Sequence, residues 1–194
     1  MHALYRVSSL IISVLSLFAV SQSFAAPPPA DRMSVYFSRE QGGLEEILVS
    51  LYGNVQKGGY IWVVTSSITH PALAKALIDA KRRGVDVRLI GDRGKLETKR
   101  DQIAMYNLKL QGIPIKVNRF SGALRLEASI VHDKYLVVGS YDYGSTETRT
   151  PLGIRVDEEN LLVIPAGVDK HILEQYKNAF ERMWNDQESY QALK

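Results

Sequence analysis

The feature that most limits what this chain can become is the stretch "YIWVVTSSITHPALAKALIDAKRRGVDVRLIGD", residues 60–92. It opens with a continuous apolar run, residues 60–66, of the kind found in a strand covered on both faces. The following segment spaces Leu73, Ala76, Leu77 and Ala80 along one helix face, Gly84 ends that helix, and "VDVRLIGD" reads as another strand. Strand, helix, strand in this order demands a right-handed crossover between parallel strands. Its surroundings extend the pattern. "SVYFS" is a short strand, and Leu44, Ile47, Leu48, Leu51, Tyr52 and Val55 follow helical spacing. Residues 99–111 read as a helix with Ile103, Tyr106 and Leu110 inward and Leu108 as a further inward candidate, followed by the strand "IPIKV". "NLLVI" is a later strand, and Ile172, Tyr176, Ala179, Phe180, Met183 and Trp184 place a closing helix over the sheet. The fold class expected is α/β: a largely parallel mixed sheet flanked by helices on both faces.

The N-terminal stretch has a basic Arg6, an apolar run at residues 10–20, and small residues Ser23 and Ala25 at cleavage spacing. It reads as a signal peptide over residues 1–25, against the alternative of an uncleaved anchor, for which the run is short. A Pro-rich linker (26–33) and one domain (34–190) follow. The expected destination is the bacterial periplasm or the exterior, with no stable membrane anchor after cleavage. The absence of cysteine excludes a thiolate nucleophile and a Cys-ligated metal. A net charge of +3 suits an anionic partner without requiring one.

Between the helical half and the closing helix lies "IVHDKYLVVGSYDYGS", residues 130–145. On an extended strand, His132 and Lys134 would share a face. A loop carrying Arg119, Phe120 and Arg125 precedes them; Gly144, Ser145, Thr146 and the acidic Asp157, Glu158 and Glu159 follow. A histidine beside an ammonium suits phosphate handling, and it equally suits two polar residues on a wet sheet face. His70, before Pro71 at a helix start, and His171, on the closing helix, read as surface or packing residues. The Gly139-Ser140 pair suits a tight hairpin turn.

The residue order resembles the single-motif nucleases of the phospholipase D superfamily. Their motif is His-x-Lys, four residues, Asp, six residues, Gly-Ser-x-Asn, then Glu-Asn opening a strand. Here "HDK" begins at His132, "GS" stands at Gly144 and Ser145, and "EEN" ends at Asn160, while "ALAKALIDAKRRGVDVRLIGD" looks like the family's preceding helix and strand. In this alignment Gly139 takes the place of the motif Asp, and Glu147 takes that of the Asn. A second alignment puts "GS" at Gly139 and Ser140 and makes Asp142 the Asn equivalent.

The resemblance implies a phospholipase D-like α-β-α sandwich and a metal-independent phosphodiesterase without cofactor. His132 would attack phosphorus to give a phosphohistidine, Lys134 would hold the non-bridging oxygens, and Glu159 would orient the histidine ring. Ser145, Glu147, Asn160, Arg119 and Arg125 would contact substrate. One motif per chain implies a homodimer with a composite site, a second histidine coming from the partner. Nucleic acid is the first substrate expected, on the resemblance and the basic loop. A phospholipid is the alternative, with Phe120, Leu124 and Leu126 as its apolar entry. Two further readings are a nucleic-acid-binding or secretion-associated protein with a weakened site, and a metal-dependent nuclease using Asp92, Asp157, Glu158 and Glu159.

Overall fold

The computed structural model describes residues 28–41, 43–144, 147–150 and 153–194, and of residues 41, 147–150 and 153–156 only the backbone. The segment read as a signal peptide, with Ser145 and Thr146, lies outside the described residues. The elements in chain order are β1 (Ser34–Phe37), α1 (Ser38–Gln41), α2 (Leu44–Gly53), β2 (Tyr60–Val64), α3 (Pro71–Arg82), β3 (Asp86–Gly91), α4 (Lys99–Leu110) and β4 (Ile115–Asn118), with a 3₁₀ turn (Arg93–Glu97) ahead of α4. Then come β5 (Ala128–Val131), β6 (Tyr135–Gly139), β7 (Glu147–Thr150), β8 (Gly153–Val156), β9 (Asn160–Pro165), α5 (Lys170–Asn185) and β10 (Tyr190–Ala192). Eight strands form one sheet in the order β1-β9-β6-β5-β2-β3-β4-β10, and β7 and β8 form a separate ribbon.

The architecture is α/β, and the crossover units are where the sequence puts them: β2 pairs β3 and β3 pairs β4 in parallel. The expectation of a largely parallel sheet is corrected, because the other five pairings of the large sheet, β1–β9, β4–β10, β2–β5, β5–β6 and β6–β9, are antiparallel. For the β5–β6 pair the cause is connection length. A parallel neighbour needs a crossover of about a dozen residues or more. Only residues 132–134 join β5 to β6, and so short a turn can return the chain only antiparallel.

One face of the sheet is closed by α2, α3 and α4, through Leu48, Leu51, Leu73, Leu77, Met105 and Leu108 packed against Val63, Val87, Val131 and Val137. The other face is covered by α5: Leu173 and Phe180 pack on Trp62, Ile90, Ile130 and Leu136, and Phe180 stacks between Trp62 and Trp184. Helix α4 differs from its sequence reading. Leu108, together with Met105, is buried, whereas Ile103 is 60% and Leu110 81% exposed. The helix is tethered on one side only, so Ile103 and Leu110, expected inward, fall on the solvent side.

The hairpin turn also moves. It falls on His132-Asp133-Lys134, and Gly139 ends β6. His132 adopts φ 51°, the left-handed conformation of a tight turn. His132 and Lys134 are therefore not alternating residues of one strand.

Candidate functional site

The strand directions sort the expected site residues onto two edges of the sheet. Call upper the edge at which β2, β3 and β4 end. Val64 pairs with Ala128, Ala128 with Val138, and Gly139 with Leu161. The start of β5, the end of β6 and the start of β9 thus also lie on the upper edge. There stand Arg119, Arg125, Glu159 and Asn160. His132 and Lys134 lie on the lower edge, beside the start of β2: the His132 N–H donates to the Tyr60 carbonyl at 2.8 Å. The length of β6, five residues at ~3.3 Å each, separates His132 from Glu159 by roughly 15 Å. The expected pairing of these two is not formed within the chain. Ser145 lies outside the described residues, and so does the side chain of Glu147.

The lower edge holds a cavity of about 680 Å³. Asn54, Gln56, Lys57, His132, Lys134 and Tyr135 supply its polar lining, and Leu51, Val55 and Val131 its apolar wall. Two glycines shape it. Gly58 has φ 85°, and a Cβ on Gly59 would stand 2.7 Å from Val55 Cγ1 and 3.6 Å from His132 Cγ, so the loop's backbone lies against the imidazole. The ring meets Tyr60 edge-on at 5.2 Å, and its Nδ1 is buried without a hydrogen-bond partner. Asp133 is drawn off toward α5, accepting from Tyr60 Oη at 2.6 Å and from Lys177 Nζ at 2.7 Å. Those bonds, that from Lys177 first, hold its carboxyl below the usual carboxylate range. Burial pushes the Tyr60 hydroxyl up to about 12. No carboxylate is among the described residues lining the cavity, which leaves its cationic groups, Lys57 and Lys134, facing a space that suits an anion.

The upper edge has the opposite character. A Cβ at Gly139 would sit 2.1 Å from the Asn160 carbonyl oxygen, so only glycine lets β6 approach β9 there. Ser140 Oγ accepts from the Asn160 N–H at 3.1 Å. Tyr141 and Tyr143 turn into the core, where Ser129 Oγ joins Tyr143 Oη at 2.8 Å and Tyr52 Oη at 2.5 Å. Glu127, 9% exposed, accepts from the Ser66 N–H at 3.0 Å, and burial raises its carboxyl to about 7. Burial also raises Glu159, with Asp142 and Asp157 adding to the shift. Asp92, expected as a possible metal ligand, caps backbone instead: its oxygens accept from the N–H groups of Gly94 and Leu124.

These constraints bear on one of the two alignments of the motif. Gly139-Ser140 has a close approach and a serine bond to β9, whereas Ser145 of the other alignment lies outside the described residues. Counted from Gly139 with no gap, the motif's Asn falls on Asp142, its Asp on the turn residue His132, its Lys on Glu127 and its His on Arg125. In that alignment the motif's histidine and lysine positions fall on Arg125 and Glu127, and His132 and Lys134 form an "HDK" at the hairpin tip.

Sequence reasoning missed Lys57, whose signal was a lysine followed by two glycines just before a strand. It also missed Glu127, an acid opening an otherwise apolar strand.

A family model described as "Cardiolipin synthase, PLD-like domain" matches residues 56–184. The chain is 27% identical over 158 residues to a mitochondrial cardiolipin hydrolase of Xenopus laevis, covering 81% of this chain and 69% of that protein. It is 26% identical over 172 residues to a phospholipase D of Rickettsia prowazekii, covering 88% and 71%. Among solved structures, the phospholipase D family member Nuc from Salmonella typhimurium superposes with a TM-score of 0.67 at 23% identity, covering 82% of this chain and 98% of that one. At that identity the likeness is one of fold.

Proposed function

We propose that this chain, which belongs to the phospholipase D superfamily and has a cardiolipin hydrolase and a phospholipase D among its relatives, is an exported, metal-independent phosphodiesterase that receives a phosphodiester in the cavity of Lys57, His132 and Lys134. The observation that carries this reading is the cavity itself, where two lysines and an imidazole line one space without a carboxylate among its described lining. Neutral His132 would attack phosphorus; the bond from phosphorus to the leaving alkoxide breaks, and the alkoxide takes a proton from a second acid. Water then hydrolyses the phosphohistidine. Lys57 and Lys134 offset the charge on the non-bridging oxygens. The second acid belongs to a second copy of the chain, in a composite site across a homodimer. Export rests on the N-terminal reading; no helix among the described residues is long and apolar enough to cross a membrane.

Nucleic acid is the substrate favoured. The loop of residues 119–126 lies on the upper edge, away from the cavity, so neither its apolar residues Phe120, Leu124 and Leu126 nor its basic residues Arg119 and Arg125 line the cavity, and nucleic acid is favoured on the family resemblance alone. The names of the relatives keep a phospholipid in the test. A second reading is favoured by the alignment at Gly139-Ser140: with Arg125 and Glu127 at the motif's His and Lys positions, the chain binds a phosphodiester without cleaving it.

The experiment is incubation of the mature chain in EDTA with labelled DNA and with phosphatidylcholine, beside His132→Ala. Cleavage of DNA that is lost in His132→Ala supports the proposal. Undiminished cleavage by the variant overturns the site assignment, and DNA binding without cleavage selects the second reading.

A further inference from the structure

Strands β3 and β4 end side by side on the upper edge, and a buried polar residue stands at the end of each: Asp92 is 6% and Asn118 1% exposed. Their side chains lace together the two turns that follow. Asp92 accepts from the Leu124 N–H at 3.1 Å, across to the loop after β4. Asn118 Oδ1 accepts from the Arg93 N–H at 2.7 Å, across to the turn after β3, while its Nδ2 donates to the carbonyls of Phe120 and Gly122. Arg93 makes one of these bonds, and Arg119 and Arg125 each adjoin a residue that makes one, so the lacing gathers three arginines from two separate turns. All three are exposed, and so is Lys95. Residues 93–97 and 119–126 carry these four cations against a single acid, Glu97. None of the four enters an ion pair among the described residues; the Arg119 guanidinium donates to the Gln187 carbonyl at 3.0 Å. Cations gathered without counter-charge repel one another, and an anion relieves that repulsion. Phe120 stands in the same loop, 41% exposed, its ring at right angles to that of Tyr190.

We propose that this rim is a docking surface for single-stranded nucleic acid, its phosphates paired with Arg93, Lys95, Arg119 and Arg125 and a base stacked on Phe120. Guanidinium groups pair phosphate oxygens bidentately, and an exposed ring beside them offers a face to a base of any kind. A duplex keeps its base faces stacked on one another, out of reach of the ring. A lipid surface fits less well. Between Arg119 and Arg125 the other exposed residues, Ser121, Gly122 and Ala123, are small, and Leu124 is buried, which leaves Phe120 alone to enter an apolar layer. The inference goes beyond the hydrolytic reading and does not need it: the reacting phosphodiester belongs to the cavity, whereas the rim holds strand remote from it, and its readout is binding.

The test follows fluorescence anisotropy of a labelled oligothymidylate over a series of salt concentrations, with the mature chain carrying Lys57→Ala and Lys134→Ala, which removes the cationic groups of the cavity. Binding should persist in that background and weaken as salt rises. Adding Arg93→Ala with Arg125→Ala should weaken it by about tenfold or more and flatten the log–log salt slope by about 1.4, two phosphate contacts on a single strand. Adding Phe120→Ala instead should weaken it by about fivefold or more with the slope unchanged, a split that a general folding defect would not produce. Binding unchanged by the arginine pair, or a duplex or a phosphatidylglycerol vesicle held more tightly than the single strand, would overturn the proposal. Loss of all binding in the cavity variant would overturn it too, while leaving the hydrolytic reading standing. Binding kept there, beside an unsubstituted chain that cleaves nothing, would support the rim and sink the hydrolytic reading alone.

Discussion

At Glu127 the physics of one residue is open to direct measurement. Its carboxyl is raised by burial from the ordinary 4.5 to about 7, so the folded protein keeps a proton that the unfolded chain releases above about 4.5. The stability this proton contributes is complete below about 4.5 and is lost as pH rises to about 7, a fall on the order of 3 kcal/mol. Asp133 acts in the opposite sense, its lowered carboxyl contributing stability that is lost on acidification. Comparing wild type with Glu127→Gln isolates the first effect: in urea melts between pH 5 and 8, the wild type should lose stability with rising pH relative to the variant. Parallel profiles would show that Glu127 titrates normally. The same residue shows what a sequence hides. Reading His132 and Lys134 as one face assumed an unbroken strand, and a hairpin tip replaces alternation with turn geometry. The Lys57 and Glu127 positions could be noticed as odd residues in their runs, but nothing local said which edge of the sheet each would reach.

Among the elements, β6 is the one whose sequence is most tightly dictated. Gly139→Ala would put a methyl 2.1 Å from the Asn160 carbonyl, and strand β9 cannot retreat without breaking its ladder with β6. Destabilisation of about 3 kcal/mol or more is expected by urea unfolding, at the upper end for a single substitution; a loss under about 1 kcal/mol would mean that the two strands part easily. Helix α4 offers the contrast. Leu108→Ala should cost about 2–5 kcal/mol as a buried truncation, whereas Leu110→Ser should stay within about 0.5 kcal/mol. The reverse order would restore the sequence-based orientation. The helices α2, α3 and α5 were legible because their apolar stripes are complete. In α4 the apolar positions surround the helix, so spacing alone could not choose the buried side.

For the whole molecule, the alternation of strands and helices made the α/β class legible, along with the parallel β2–β3–β4 unit. The antiparallel half was not, because the tight turn that reverses β5 into β6 lies at His132 and not at Gly139, seven residues later, and the other antiparallel pairs join segments far apart in the sequence. The family was legible in the motif residues, but two registers of them fit the sequence, and the glycine that β9 requires at 139 bears on one of them. If cleavage needs His132 from two subunits, mixing wild type with His132→Ala after co-refolding should leave about a quarter of the activity at equal proportions, against about half for independent chains. The central claim is that phosphate belongs to the lower edge. It is tested most directly by titrating a short DNA oligonucleotide into ¹⁵N-labelled mature protein and mapping the amides that move. The account requires shifts at Lys57, Gly58, Gly59, His132 and Lys134, abolished by Lys57→Ala with Lys134→Ala. Shifts centred instead on Arg125, Ser140 and Gly144, with the lower edge silent, would contradict it.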